Sequence, residues 1–591
     1  MKKRAYYSVL VALIVSIGGF LLGFDGTVNS GAVPFYKNTF DIADQPFLIG
    51  LSTGVIILGG FFGNLTAGFL NDKWGRRPSL FFTSFLFMAG ALGTALAPNI
   101  LLFIFFKLIA GYGVGIAILT APVYISEIAP PDQRGRLVTF NQLNIVLGLT
   151  IAYFSNYYIL QWVDDPELNW RWMLGVGFFP AVAYFGLLFF IPESPRWLIK
   201  KGYDQKAKTI LEKIGGPALA EEEYDCIKKS IEDDENRKEG GLSEFFSKKM
   251  KLVLLIGFGI AFFQQVSGIN AVLYYAPMIF QSTGGGQDAA FLQSIVVGLV
   301  FVGMTIISMF LIDRLGRKPL LVIGTSVMSI SLLIASFGFY KATYTLNEES
   351  IMTIEYDLRS NIENAEKGIS PIEKASLYAE VDLLVNTLKS IEDIEFDGEL
   401  VFFNNIKSKL LSRGNKLKHH EGEAFYREIH HYMMDGMKQD AAIEKAVLSK
   451  YNSSYKSMIL NKSISINDVL VLVGILGFIA GFSISLGPVT WAMLPEILPN
   501  RLRALGISIF GALNGITSFS VATMFPMELE LLGASTTFLV FAIFMIICLI
   551  FSLTVVVETK GKSLEQVEKE LIGEVVTSAD EVVEEKIIIG H

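Results

Sequence analysis

Charge is scarce in this chain. Of its 591 residues only 18% are Asp, Glu, Lys or Arg, and 52% are hydrophobic. A soluble domain carries roughly 25% charged residues. The shortage, with long apolar runs from end to end, excludes an ordinary water-soluble protein. The net charge of −8 excludes little, because the charges sit in loops and tails. Cysteine is nearly missing. Cys226 falls in a charged stretch and Cys548 in an apolar run, so no disulfide is expected. Histidine is rare too, and four of the five come as the pairs His419-His420 and His430-His431. Helix neighbours diverge by about 100°, so such pairs do not share a face, and they read as surface residues with no metal. Nothing resembles a nucleotide loop, a metal-spaced cluster or a nucleophile constellation, which speaks against an enzyme, a cofactor or a nucleic-acid partner. No small-residue cleavage site follows Met1-Lys2-Lys3-Arg4 and its apolar run, so that run reads as an uncleaved first helix.

What is present is a series of about twelve apolar spans of roughly 20 residues each. They fall near 8–29, 47–70, 78–97, 100–123, 137–160, 171–191, 251–281, 289–312, 319–340, 468–494, 502–525 and 533–557. The expected class is an all-α membrane protein with twelve transmembrane helices in two pseudo-symmetric six-helix bundles. The expected units are 1–197 for the first bundle and 198–250 for charged linker helices. The second bundle takes 251–340 and 468–558, interrupted by an insert at 341–467, and 559–591 is a tail. Basic residues crowd the loops after even-numbered spans, as at Lys73, Arg76 and Arg77, or Arg314, Arg317 and Lys318. By the positive-inside rule those loops and both termini are cytoplasmic.

The halves repeat. Asn71-Asp72-Lys73-Trp74-Gly75-Arg76-Arg77 follows span two, and Asp313-Arg314-Leu315-Gly316-Arg317-Lys318 follows span eight. Glu127 and Arg134 lie seven apart after span four, as do Glu496 and Arg503 after span ten. Pro192-Glu193-Ser194-Pro195-Arg196 ends one half and Glu558-Thr559-Lys560-Gly561 the other. One basic loop is only topology bias; three duplicated motifs indicate a transporter with its site between the repeats. An Asp at a helix end can bond the guanidinium forks a turn away. Charge pairs that form in one state and part in the other would bias a rocking equilibrium. Asp72, Arg76, Arg77, Asp313, Arg314 and Arg317 are read this way, and Glu127, Arg134, Glu496 and Arg503 are the leading gate candidates. Glu193 and Arg196 are expected to dock the linker helices.

Inside span seven stand Gln264, Gln265 and Asn270, followed by Tyr274-Tyr275. Amides in hydrocarbon are costly without partners. They both donate and accept, which suits a ring of hydroxyls; bonding between neighbouring helices is the plainer alternative. Asp25, in the first span, is a functional candidate by position alone, since an acid there costs about 2.5–3.5 kcal/mol on insertion scales.

The insert is about 125 residues long, too long for an idle loop. Ser370-Pro371-Ile372-Glu373 is a capping box with proline at the first helical position. Leu377, Val381, Leu384, Leu388 and Ile391 then recur at helical spacing. A small, mostly helical extracytoplasmic unit is expected. Delivering sugar, docking an extracytoplasmic partner and capping the mouth all stay open for it.

These motifs resemble the sugar porter family of the major facilitator superfamily, over nearly everything except the insert and the extreme C-terminus. The specific matches are Pro192-Glu193-Ser194-Pro195-Arg196-Trp197-Leu198, Gln264-Gln265-x-x-Gly268-x-Asn270 and Glu558-Thr559-Lys560-Gly561. Around Arg134 to Gln142 the chain is most similar to bacterial xylose–proton symporters. The resemblance implies sugar contacts at Gln142, Gln264, Gln265, Asn270, Trp491 and Asn514, with Tyr274 closing an outer gate. It implies that Asp25 couples sugar to protons, with Lys107 where those symporters carry an arginine. Lysine keeps the charge and loses the bidentate fork. Gly515, Leu149 and Phe301 depart from the pattern, so pentose preference does not follow. The expected function is monosaccharide–proton symport by a monomer in the bilayer of the cell (inner) membrane. A passive facilitator or a sugar sensor of the same fold is the alternative. A drug–proton antiporter is disfavoured by the amide-rich span seven.

Overall fold

A computed structural model of the chain describes residues 2–129, 134–236, 241–364, 371–397, 399–414, 456–499, 501–562 and 564–572. Ser370 and both histidine pairs lie outside the described residues. The first half contains α1 (Lys2–Thr39), α2 (Pro46–Trp74), α3 (Arg76–Ala95), α4 (Ile100–Ile128) and α5 (Arg134–Trp162), then a broken sixth span, α6 (Pro166–Gly175) and α7 (Phe178–Leu187). Short helices α8 (Pro195–Lys200), α9 (Asp204–Gly215), α10 (Pro217–Asn236) and α11 (Leu242–Phe245) lead to the second half. There, α12 (Lys251–Val266) and α13 (Ile269–Gln281) share one span, and α14 (Gly286–Leu315) and α15 (Arg317–Tyr340) each form another.

The insert then folds as α16 (Glu348–Asn364), α17 (Pro371–Lys389), α18 (Glu399–Gly414) and α19 (Lys456–Ser463) with three two-residue strands. After it, α20 (Asp468–Ile484) and α21 (Leu486–Glu496) share a span, α22 (Arg503–Thr554) is a long final run, and α23 (Leu564–Ile572) closes the order. Among the described residues eleven helical runs are long and apolar enough to cross a membrane. The last has 52 residues, about 78 Å at 1.5 Å per residue, far more than a core of about 30 Å. It must cross twice. Gly533, with φ 75° and ψ 161°, supplies the reversal, so the chain makes the twelve crossings expected. The first helix is longer than the 8–29 reading. It continues through Pro34 to Thr39 because its polar residues are buried against α2, where Asn29 donates to Thr53 and Tyr36 meets Ser52.

The two halves share a joint. Gly75 (φ 104°, ψ 169°) separates α2 from α3, and Gly316 (φ 98°, ψ 171°) separates α14 from α15. Both stand next to basic loops, which define one end of the molecule. Close packing between the halves lies toward the other, far end. Thr150 Oγ1 donates to Gly298 O at 3.0 Å, Tyr153 to Leu273 O at 2.6 Å and Gln161 to Asp288 at 2.8 Å. On α2, a Cβ at Gly50 would fall 1.7 Å from Thr523 O, so only glycine lets the α2 and α22 backbones approach.

The insert sits at the far end, where α15 finishes. Its strands β1 (Thr343–Tyr344), β2 (Phe396–Asp397) and β3 (Ile464–Ser465) form an antiparallel sheet in the order β2-β1-β3. The expected apolar face of α17 is buried, with Val381, Leu384, Leu388 and Ile391 packed beside Tyr344, Phe402 and Ile406. The sheet was not legible, because each strand is two residues long and pairs across more than fifty residues.

Candidate functional site

The breaks in two spans place the polar residues. Gly268, at φ 85° and ψ 12°, takes a left-handed conformation between α12 and α13. Ser485 leaves the helical region between α20 and α21. Backbone groups freed by such breaks need partners inside a membrane. Gln264 provides one: Nε2 donates to Leu486 O at 2.9 Å and to Gly487 O at 3.4 Å. Its Oε1 accepts from Asn514 Nδ2 at 2.7 Å. Gln265 Nε2 donates to Asn514 Oδ1 at 3.0 Å and its Oε1 accepts from Asn270 at 2.9 Å. Asn270 also donates to Ser518 Oγ at 2.6 Å. The three span-seven amides and Asn514 are therefore one network spanning α12, α13 and α22, and in this structure they bond chiefly to one another.

A cavity of about 800 Å³ opens between the halves on the basic-loop side of this network, well within the size range of small-molecule sites. Gln142 lines it from α5, Phe301, Thr305 and Ser308 from α14, Phe482 from α20 and Gly487 from α21. Gly487, whose carbonyl Gln264 holds, joins the cavity wall to the network. Of the expected sugar contacts only Gln142 is on the wall itself. Gln264, Gln265 and Asn514 are buried behind it, and Trp491 is half exposed further along α21. Sequence reasoning missed Thr305, Ser308 and Ser518. Ser308 Oγ has no partner, yet a lone hydroxyl in an apolar run gives no signal. Phe301, one of the departures, packs its ring edge-on against Phe482. A Cβ at Gly515 would fall in ordinary van der Waals contact with Phe61, 3.7 Å away.

Asp25 and Lys107 do meet. Lys107 Nζ lies 3.2 Å from Asp25 Oδ1 and 3.5 Å from its carbonyl. The lysine is 1% exposed and the carboxylate side chain 17%. The second carboxylate oxygen, Oδ2, is buried without a partner, as the loss of a guanidinium fork would leave it. Tyr274 closes over this point from the other half, its hydroxyl 3.2 Å from where a Cβ at Gly26 would be.

The basic-loop motifs form two matching staples. Arg76 grips Glu127 with Nε at 3.0 Å and Nη2 at 2.8 Å, and touches Asp72 at 3.4 Å. Glu193 accepts from the backbone N–H of Arg76, Arg77 and Ser194. Burial pushes its carboxyl up, opposed by those same N–H groups. In the second half Arg317 holds Glu496 at 2.8 Å, and Glu558 accepts from the backbone N–H of Arg317 and Lys318 at 3.1 Å each. Arg77 donates to the Leu188 and Phe189 carbonyls, as Lys318 does to Leu553.

In this structure the gate candidates find their partners within their own halves. Glu496 pairs with Arg317, while Arg503 donates to the Pro495 and Leu498 carbonyls eight and five residues back. Glu127 is taken by Arg76. These bonds all lie within one half, where helix ends bring the partners closer than a seven-residue spacing does. The Arg134 and Asp313 side chains lie outside the described residues, and Arg314 is exposed. Arg196 reaches Ser230 on α10 at 3.5 Å, which ties it to the linker helices as expected. Glu193 instead caps α3. Glu558 was quoted only as part of a motif; its symmetry with Glu193 was the available signal.

Twelve crossings in two joined halves, with a largely apolar cavity carrying a few polar groups between them, define a transporter of the major facilitator class. Residues 11–355 and 447–571 match the family model described as "Sugar (and other) transporter", and the chain belongs to that family. It is 30% identical to the arabinose-proton symporter of Bacillus subtilis over 568 residues, covering 95% of each chain. It is 32% identical to probable inositol transporter 2 of Arabidopsis thaliana over 575 residues, covering 96% of this chain and 91% of that one. Its fold matches the inward-open conformation of the xylose transporter XylE from E. coli with a TM-score of 0.66 and 25% identity, covering 95% of this chain and 99% of the other.

Proposed function

We propose that the protein imports a monosaccharide or similar cyclic polyol together with a proton, by alternating access, across the cell (inner) membrane. The observation that carries the reading is the Asp25–Lys107 pair, largely buried and covered by Tyr274 from the other half. The basic loops and both termini lie in the cytoplasm, which makes the cavity inward-facing, the insert external and Tyr274 part of the closed outer gate. Residues 1–197 and the pair 251–340 and 468–558 rock as two bodies, with 198–250 as a cytoplasmic brace. The staples hold each body rigid rather than lock one to the other.

When the outer side opens, a proton reaches Asp25 and weakens its hold on Lys107. Sugar hydroxyls then exchange for the bonds Gln264, Gln265, Asn270 and Asn514 now make to each other, and Gln142 and Trp491 close on the ring. An indole face stacks on C–H groups while its N–H donates. The halves rock, and the proton leaves inward. The relatives named for arabinose, xylose and inositol set the range of candidate substrates. Proteoliposome uptake of labelled pentoses, hexoses and inositol, with pH jumps and an uncoupler, tests this. Wild type should accumulate one of them only under a proton gradient. Asp25→Asn should lose accumulation and keep exchange. Uptake blind to the uncoupler would make the protein a passive facilitator, and binding without uptake a sensor.

A further inference from the structure

Asp25 and Asn29 stand one helical turn apart on α1, so their side chains project from the same face. Asn29 is buried and Asp25 largely so, and each carries one buried oxygen without a donor: Oδ2 of Asp25 and Oδ1 of Asn29. Two adjacent acceptors with no donor are a costly arrangement in a low-dielectric interior. Protonation of Asp25 would turn Oδ2 into a donor one helical turn from the Asn29 Oδ1 acceptor.

The other end of the amide leads to the far-end closure. Asn29 Nδ2 donates to Thr53 Oγ1 at 3.0 Å and to the Tyr36 hydroxyl at 3.4 Å. The hydroxyl of Tyr275, on α13 of the opposite half, faces Thr53 and donates to Ala522 O at 3.1 Å. The next residue, Thr523, is where α2 seats on α22 through Gly50 and Gly54. A run of polar groups thus leads from Asn29 through Thr53 and Tyr275 to the surface where the halves meet. The titratable groups facing Asp25 are Lys107 from α4 and Tyr274 from α13; those facing Asn29 and Thr53 are Tyr36 and Tyr275.

We infer that Asn29 is a positioning residue for proton coupling: it accepts the hydrogen bond of protonated Asp25 and links that state to the far-end closure. This rests on the proton-symport reading of Asp25. The proton comes from solvent and returns to it, and no other bond is made or broken.

The test uses the full chain in lipid and reads the infrared carbonyl band of protonated Asp25, assigned by its loss in Asp25→Asn, across a pH titration. Asn29→Leu, which cannot accept, should shift the band and lower its titration midpoint by about one pH unit, the scale of one buried hydrogen bond. Asn29→Thr keeps an acceptor oxygen and should restore most of the midpoint. An unchanged band and midpoint in a folded Asn29→Leu would overturn the inference and leave symport standing. Accumulation of labelled sugar by Asp25→Asn would instead remove the symport reading beneath it.

Discussion

Gly75 and Gly316 show how much one residue decides here. Each has φ near 100°, and a Cβ would fall 2.4 Å from Glu193 Oε2 at Gly75 and 2.6 Å from Glu558 Oε2 at Gly316. The turn requires glycine, and so does the carboxylate that caps the next helix. Gly75→Ala and Gly316→Ala should each cost about 1–3 kcal/mol, seen as earlier loss of the monodisperse peak in size-exclusion chromatography after heating. Gly68→Ala, where the new methyl meets nothing, should not. The duplicated motif made these glycines legible. The carboxylates opposite them were not, because Gly75 and Glu193 lie more than a hundred residues apart and nothing in the loop sequence names its cap. The amides were legible as polar and unexplained; that they satisfy one another could not be read from spacing, since Asn514 comes from a helix 250 positions away from Gln264.

Among the elements, periodicity did best where one face is buried. The α17 stripe from Val381 to Ile391 was readable because a 3.6-residue repeat survives in a mixed polar sequence. Span edges were less readable. Hydropathy falls at Asn29, Ser30 and Tyr36, yet α1 continues, since those groups find partners on α2. Hydropathy records the side chain and not its neighbour. The insert has its own apolar cluster, so a defect there should stay local. Leu388→Ala, at a fully buried position, should cost the insert about 2–5 kcal/mol. Limited proteolysis should then cut within 341–467 faster than in wild type, with the membrane-embedded remainder still resistant.

For the molecule as a whole, the far-end closure carries its own pH response. Asp44 lies in the turn between α1 and α2. Partial desolvation, then the charges of Asp41 and of Glu530 on the other half, push its carboxyl up to about 6, while Lys37 pulls it down. The closed arrangement thus favours neutral Asp44. That contribution is full below the ordinary value of 3.8 and is lost as pH rises through about 6. Spin-label distances between exposed Phe47 and Leu531 should show the closed population falling from pH 5 to 7.5. An Asp25→Asn background keeps the proposed proton site silent, and adding Asp44→Asn should flatten the response. The twelve-span plan and its twofold repeat were plain in the sequence. Which end is closed was not, because closure depends on α2 meeting α22 at Gly50 and Thr523, a contact between halves that no local pattern records.

The sheet at the root of the insert has a structural corollary. Thr343 pairs directly with Ser465 across β1 and β3, so the chain departs from and rejoins the membrane body at two points one strand apart. Everything beyond that stem hangs from a single hairpin-like neck. A tight two-residue turn grafted between those strands would give a shorter carrier with its last three spans undisturbed. The same neck is a ready port through which a reporter domain can be exchanged for the native appendage.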